Sequence, residues 1–286
     1  RINPPKGLRN RFRRARLRLK EGRVNPRTPQ FRSTLRDVIV VPEFSYLEYA
    51  GLFPDAPLVL LVQDPTALLR AYSCDEAGFH QRFVSVLATS EAAMEAVRVL
   101  LGREAHRITL PVARPGLKAN HPKKIQIAYM PRKLRPQSQR VTMALRRRPA
   151  LADVPVVVIE NMSNDERDQV LNESLVFLSF SNMEGFGLPP AEAMAAGCLV
   201  IGYTGVGGNE YFTPETGFVI EHHDMPRFVA QIDEVITAYR RDPTDLDQLR
   251  ARAAELIASR YSPERAHESL QEAWAALGAE LEAQER

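Results

Sequence analysis

Ser179-Phe-Ser-Asn-Met-Glu-Gly-Phe-Gly-Leu-Pro-Pro-Ala-Glu-Ala-Met-Ala-Ala-Gly-Cys198 joins an apolar run to a small-residue helix pattern through a glycine-bearing turn. The run Leu175 to Ser181 that leads into it is what a strand buried on both faces of a parallel sheet needs. Gly185 and Gly187 allow backbone amides to approach a ligand with no Cβ in the way. Pro189 and Pro190 then open a helix to Ala196, at positions where a missing N–H costs nothing. Ala193, Ala195, Ala196 and Gly197 keep that helix thin enough to lie close on a sheet. Strand, tight turn and thin helix are the parts of a doubly wound α/β fold.

The same alternation continues on both sides of this stretch. Strands are expected at Ile125 to Met130, Pro155 to Glu160, Cys198 to Tyr203 and Gly217 to Ile220. Helices are expected at Gln137 to Arg148, Asp165 to Glu173, Pro226 to Arg240, Asp245 to Arg260 and Pro263 to about Ala283. Upstream, Asp37 to Val41, Pro57 to Val62, Phe83 to Thr89 and Ile108 to Val112 read as strands, and Ser90 caps a helix that stops at Gly102. The aperiodic Pro- and Gly-bearing segment between these blocks reads as a linker. The expectation is a basic arm over 1–36, a first Rossmann-like domain over 37–114, a linker over 115–124 and a second Rossmann-like domain with terminal helices over 125–286. The two parallel sheets would face each other across a cleft.

The helix opened by Pro189 presents free N–H groups and a positive dipole end, which suit a phosphate or pyrophosphate. Glu184 and Glu192 bracket that end. Aimed at a diphosphate they would repel it; set on either side, they suit vicinal hydroxyls of a ribose and of a sugar. Each alone reads as readily as a helix-start carboxylate. His222-His223-Asp224 has metal-ligand residue types, but neighbouring side chains on a strand point apart and Asp224 suits a helix cap.

Glu184-Gly-Phe-Gly-Leu-Pro-Pro-Ala-Glu192-Ala-Met-Ala-Ala-Gly197 resembles the E-x7-E signature of family 4 glycosyltransferases, retaining enzymes of the GT-B architecture. Gly205-Val-Gly-Gly-Asn-Glu210 resembles the glycine loop that follows the next strand. The resemblance covers roughly Ile125 to Asp224 and implies a nucleotide-sugar donor as substrate, with no further cofactor and no metal. It implies that Glu184 contacts the donor sugar, that Glu192 holds the ribose, and that the amides of Gly185, Phe186, Gly187 and Leu188 line sugar and phosphates. It implies that Arg132 holds the pyrophosphate; the companion Lys would fall on Gln137, so Lys133 or Arg135 substitutes. Glu160 to Asn164 stands where a nucleobase wall would be. In the first domain, Gln63-Asp64 falls where many members carry a His on the sugar; Asp64 reads equally as a sugar contact and as a turn cap before Pro65.

Of the 286 residues, 44% are hydrophobic and 26% charged, which excludes global disorder, and no apolar run approaches a membrane span. Cys74 and Cys198 read as reduced thiols of a cytosolic chain. Arg1 in place of Met, and no glycine-rich acceptor loop ahead of the first strands, suggest a chain that begins partway through a longer protein. Arg1 to Arg36 carries thirteen Lys or Arg against Glu21, so a +12 arm joins a −9 body. Such an arm suits nucleic acid, anionic lipid or an acidic partner, or is a solvated helix face. Phe12 and Phe31 are its only aromatics, too few to stack bases, so nucleic acid ranks last and a peripheral anionic membrane carrying lipid-linked acceptors ranks ahead.

The resulting expectation is a hexosyltransferase-like enzyme that moves a sugar from a nucleotide sugar to an acceptor hydroxyl with retention, in glycan or polysaccharide synthesis. Its acceptor would be a glycan or a lipid-linked glycan. The alternative is a non-catalytic scaffold of the same architecture that binds a partner or a nucleotide sugar without turnover. The lack of the His favours the scaffold; Glu184 and Glu192 favour the enzyme.

Overall fold

The computed structural model describes residues 37–49, 53, 56–131 and 133–284. The basic arm therefore lies outside the described residues, as does Arg132. The first unit is a four-stranded parallel sheet in the order β1 (Ile39–Pro42), β2 (Leu58–Val62), β3 (Phe83–Ala88), β4 (His106–Arg107). Side chains alternate across each strand, and both faces are covered. Leu58, Leu60 and Val62 face helices α2 (Pro65–Ser73) and α3 (Glu91–Leu101), while Val59 and Leu87 face the other way. A one-turn helix, α1 (Tyr46–Tyr49), closes the β1 end with Tyr46 fully buried.

The second unit is a five-stranded parallel sheet. Its order is β6 (Val156–Val158), β5 (Lys124–Tyr129), β7 (Ser174–Phe180), β8 (Leu199–Tyr203), β9 (Phe218–Val219). One face packs on α5 (Asn164–Glu173), α6 (Leu188–Ala195) and α8 (Thr244–Arg260) through Leu171, Met194 and Ile257. The other packs on α4 (Arg135–Leu145) and α7 (Met225–Arg241) through Val141, Leu145, Phe228 and Ile232. Each such apolar side chain fully withdrawn from water contributes roughly 1.5–3 kcal/mol. The strand order reverses between β5 and β7, and open α/β sheets bind ligands at such a switch point.

Helix α9 (Pro263–Gln284) leaves the second unit and packs Ala273 and Leu277 against Val59 and Leu87 of the first sheet. Two further contacts hold it there: Thr109 N–H donates to Ser269 Oγ (2.9 Å), and His106 Nε2 lies 2.8 Å from Glu280 Oε1. No helix among the described residues is long and apolar enough to cross a membrane.

Two expectations need correction. The fourth strand is His106–Arg107, not Ile108 to Val112. Ile108 N–H still reaches Ala88 O (2.9 Å), but the chain then leaves the sheet so that Val112 can bury in the second unit's core. Helix α2 was not foreseen at all; Asp64 and Pro65 start it, with Asp64 Oδ1 accepting from Thr66 N–H (2.9 Å). The linker is also firmer than its composition suggests. Lys118 N–H and Gly116 O bond to the Asn172 side chain (both 2.8 Å). The largely buried Lys123 ammonium donates to the carbonyls of Leu171 (3.1 Å), Asn172 (2.8 Å) and Ala196 (2.6 Å), joining the ends of α5 and α6, and burial pushes its pKa down.

Candidate functional site

Three segments meet at the carboxyl edge of the second sheet: the end of β5 with Lys133, the turn 181–187 after β7, and the loop 204–210 after β8. The turn and loop are stitched by Glu184 N–H to Gly205 O (2.7 Å) and by Gly207 N–H to Glu184 O (3.1 Å). The stack leaves no room for side chains. A Cβ on Gly205 would come within 2.7 Å of Ser181 Cβ, and one on Gly207 within 2.3 Å of Gly185 O. Met183 (φ 49°) and the β-branched Val206 (φ 73°) are both held in a backbone region their side chains disfavour. Such strain, of order 1–3 kcal/mol per residue, concentrates at ligand-binding turns.

Glu184 is mostly buried, with Oε2 2.9 Å from Lys133 Nζ; the same ammonium donates weakly to the carbonyls of Asn182 (3.3 Å) and Met183 (3.4 Å). Lys133 thus sits on Glu184 rather than standing apart from it. Arg135 turns away to pair with Glu160, and Gln137 Nε2 meets His223 Nδ1 (2.8 Å). Neither foreseen substitute for the second pyrophosphate cation stands free. Asp224 caps α7, accepting from Arg227 N–H (3.0 Å).

The helix start is held from behind. The Phe186 side chain packs at 5.0 Å, centroid to centroid, on both Tyr211 and Tyr261, and the buried Tyr211 hydroxyl donates to Phe186 O (3.2 Å) and to Gly187 O. Their carbonyls are engaged. Among the described residues, the N–H groups of Gly185, Phe186, Gly187 and Leu188 find no acceptor. Gly187 and Leu188 are the N-cap and first residue of α6, while Gly185 and Phe186 belong to the turn ahead of it. Glu192, one turn in and 8% exposed, places Oε1 2.8 Å from Arg114 Nη1 and 3.7 Å from Arg167 Nη2.

The first unit meets this site edge to edge. Gly185 lies against the main chain after β2: a Cβ there would sit 1.4 Å from Gln63 O. The segment Gln63–Asp64 is fixed in turn by Glu43, buried at the end of β1, whose carboxylate accepts from Gln63 N–H (3.2 Å) and Asp64 N–H (3.0 Å). Asp64 serves as the α2 cap, and Ser90 Oγ caps α3 (3.1 Å from Ala93 N). Further along, Glu210 accepts from Glu91 N–H (2.8 Å), from both terminal nitrogens of Arg107 (3.2 and 2.6 Å) and from Tyr261 O–H (2.8 Å). One carboxylate of the second unit's loop therefore caps a helix of the first. Glu43, Arg114, Asp168, Glu210 and Tyr261 were not singled out as functional from sequence.

Burial pushes the Glu43 carboxyl up to about 7 from 4.5; the amides of Gln63 and Asp64 offset this in part, and the charge of Asp64 adds to it. An acid whose pKa is raised on folding stabilises the fold fully below its unfolded value and loses that contribution as pH climbs through the folded one. Between about pH 4.5 and 7 the loss amounts to roughly 3 kcal/mol. Glu43→Gln should remove that slope, so its melting temperature gains on the wild type as pH rises from 4.5 to 8. Parallel melting curves for the two proteins across that range would refute this.

A family model described as glycosyl transferases group 1 matches residues 150–255. The chain is 34% identical over 86 residues to an alpha-1,6-glucosyltransferase of Actinobacillus pleuropneumoniae serotype 7 (strain AP76), a match covering 29% of this chain and 26% of that protein. Among solved structures, a mutant of S. aureus TarM in complex with fondaparinux, alpha-GlcNAc-glycerol and UDP superposes with TM-score 0.64 at 13% identity, covering 83% of this chain and 55% of TarM. Anabaena Alr3699/HepE in complex with UDP and glucose superposes with TM-score 0.61 at 17% identity, covering 84% of this chain and 78% of HepE. The chain thus spans about a quarter of the curated relative and just over half of TarM. At these identities the structural likeness is one of fold. Residues 150–255 match the group 1 glycosyl transferase model, and the chain shares the two-sheet α/β fold of GT-B glycosyltransferases.

Proposed function

We propose that this chain is a glycosyltransferase that moves a sugar from a nucleotide-sugar donor to an acceptor hydroxyl with retention, the acceptor being a glycan or a lipid-linked glycan. The observation that carries the reading is the turn 184–188. Four amides without an acceptor among the described residues, two in the turn and two at the helix start, lie between two carboxylates at the strand-order switch point. Phosphates take the amides and the dipole end; Glu192 takes the ribose and Glu184 the sugar. Leaving-group charge is met by the amides and by Arg132, while Lys133 steadies Glu184. The acceptor hydroxyl attacks from the face the diphosphate leaves, which requires no protein nucleophile. A cytosolic setting, with the cationic Arg1–Arg36 arm on an anionic membrane, belongs to the same reading; about 1 kcal/mol per Lys or Arg at such a surface supports it.

The reading is tested by incubating the protein with UDP-glucose, UDP-N-acetylglucosamine and GDP-mannose, with and without glycan acceptors, and measuring nucleoside diphosphate release. Release should accompany one donor, and the product anomer by NMR should match it. No release together with no donor-induced melting shift would end the proposal. Turnover should also survive excess EDTA, since amides and cations supply the positive charge. Activity lost to chelator and restored by Mn²⁺ or Mg²⁺ would overturn this account of the pyrophosphate site.

A further inference from the structure

Both chain connections between the two units meet at one spot. The N–H groups of Val112 and Ala113, on the way from β4 to β5, donate to Tyr261 O (2.8 and 3.1 Å), the residue that ends α8 before the chain returns to the first sheet as α9. Arg114 is the next residue, and its guanidinium enters between α5 and α6. Nε and Nη2 donate to Asp168 Oδ2 (3.1 Å) and Oδ1 (2.6 Å), and Nη1 donates to Glu192 Oε1 (2.8 Å). Gly116 lets the connecting backbone lie on this pair, since a Cβ there would come within 2.3 Å of Asp168 Oδ2.

The choice of residue has a physical reason. A planar guanidinium grips one carboxylate with two nitrogens and still offers a third to a second carboxylate, which a lysine cannot do. Both carboxylates are buried, and each needs a partner to remain so. The effect on Glu192 is directional. Oε1 is taken, while Oε2 carries no hydrogen bond among the described residues and is not among the sealed, unsatisfied atoms.

We propose that Arg114 is a positioning residue for the nucleotide: it fixes Glu192 by Oε1 so that Oε2 meets the ribose hydroxyls, and it thereby ties nucleotide affinity to the crossing of the two inter-unit connections. This rests on Glu192 holding the ribose, as proposed above.

The test is a calorimetric titration of UDP, GDP and ADP into the wild type, Arg114→Lys, Arg114→Met, Glu192→Gln and the two double variants. Arg114→Lys should weaken the preferred nucleoside diphosphate about 3–10-fold and raise the donor KM by the same factor, with kcat within about twofold, because a point cation loses the fork but keeps the charge. In the Glu192→Gln background either Arg114 substitution should change affinity less than about twofold, since coupled residues are not additive. Should Arg114→Met fail to fold with Asp168 left to the longer Arg167 contact (3.6 Å), the lysine variant carries the test. Wild-type affinity in Arg114→Lys, or equal losses with and without Glu192, would overturn the inference while leaving the proposed function standing. A wild type that binds none of the three nucleotides would overturn both.

Discussion

Glu192→Gln is expected to weaken the free nucleoside diphosphate and the intact donor alike, whereas Glu184→Gln should leave the nucleoside diphosphate nearly untouched and show its loss in donor binding and transfer rate. A hydrogen bond to a charged group is worth roughly 1.5–3 kcal/mol, or about one to two decades. The two carboxylates are fixed differently. Glu192 is held through Oε1 by Arg114, and Glu184 has Lys133 on Oε2. The main-chain bonds that join Glu184 to Gly205 and Gly207 do not involve its side chain, so Glu184→Gln should keep the turn. It releases Lys133 as well, and a freed ammonium beside the pyrophosphate should if anything tighten the sugar-free product. Calorimetry of each variant with both ligands decides the matter. Equal weakening of the nucleoside diphosphate by the two variants would mean that the division of roles is wrong.

Gly185→Ala should be the most damaging single methyl in the second unit. The added Cβ would lie 1.4 Å from Gln63 O and 3.1 Å from Asp64 Cα, both main-chain atoms that cannot swing aside. Retreat is closed as well, since Gly185 O already lies 2.3 Å from where a Cβ on Gly207 would be. The turn must distort or the two units must part at this contact, so the variant should lose at least about 2–4 kcal/mol of stability, in the upper range for one substitution. Transfer should fall by two decades or more, because Glu184 is the adjacent residue. Gly278→Ala is the matched control: it lies in α9 with nothing within 4 Å of the new Cβ, and should gain about 0.5–1 kcal/mol. A Gly185→Ala protein that melts and turns over within threefold of wild type would show that the units do not touch there in solution.

The second unit was the more legible half because its signals are local. The apolar run before Ser181, the paired prolines and the alanine-rich helix fix strand, turn and helix within twenty consecutive residues. Glu184 and Glu192 then land at the sheet edge because the turn between them has one compact path. What could not be read was whatever needs partners distant in sequence. Lys133 was expected beside phosphate, and its salt bridge to Glu184 crosses fifty residues of chain. Glu43 followed an ordinary short strand; only pairing of β1 with β2 brings it under the amides of Gln63 and Asp64. Arg114 fell at a composition boundary, where a cation looks like surface, and its burial depends on how two helices pack. A purely local miss was α2, for which Asp64 before Pro65 was a sufficient start signal.

The largely buried Lys123 acts on the site without touching it. A helix carries opposite partial charges at its two ends, and at any point near one end the other end partly cancels its pull. In α6 the far end is discharged: the Ala196 carbonyl terminates on the Lys123 ammonium, together with two carbonyls from α5. What remains directed at the turn is an almost unopposed positive pole. Behind it stands a whole cation about 15 Å away, given nine residues to Ala196 at about 1.5 Å each and the hydrogen bond beyond it. At an effective dielectric constant near 20, that charge adds at most about 1 kcal/mol of attraction per negative charge placed at the helix start. An eight-residue helix therefore serves this fold as a conduit, through which a side chain at the opposite end of the sheet would act on any anion held at its mouth.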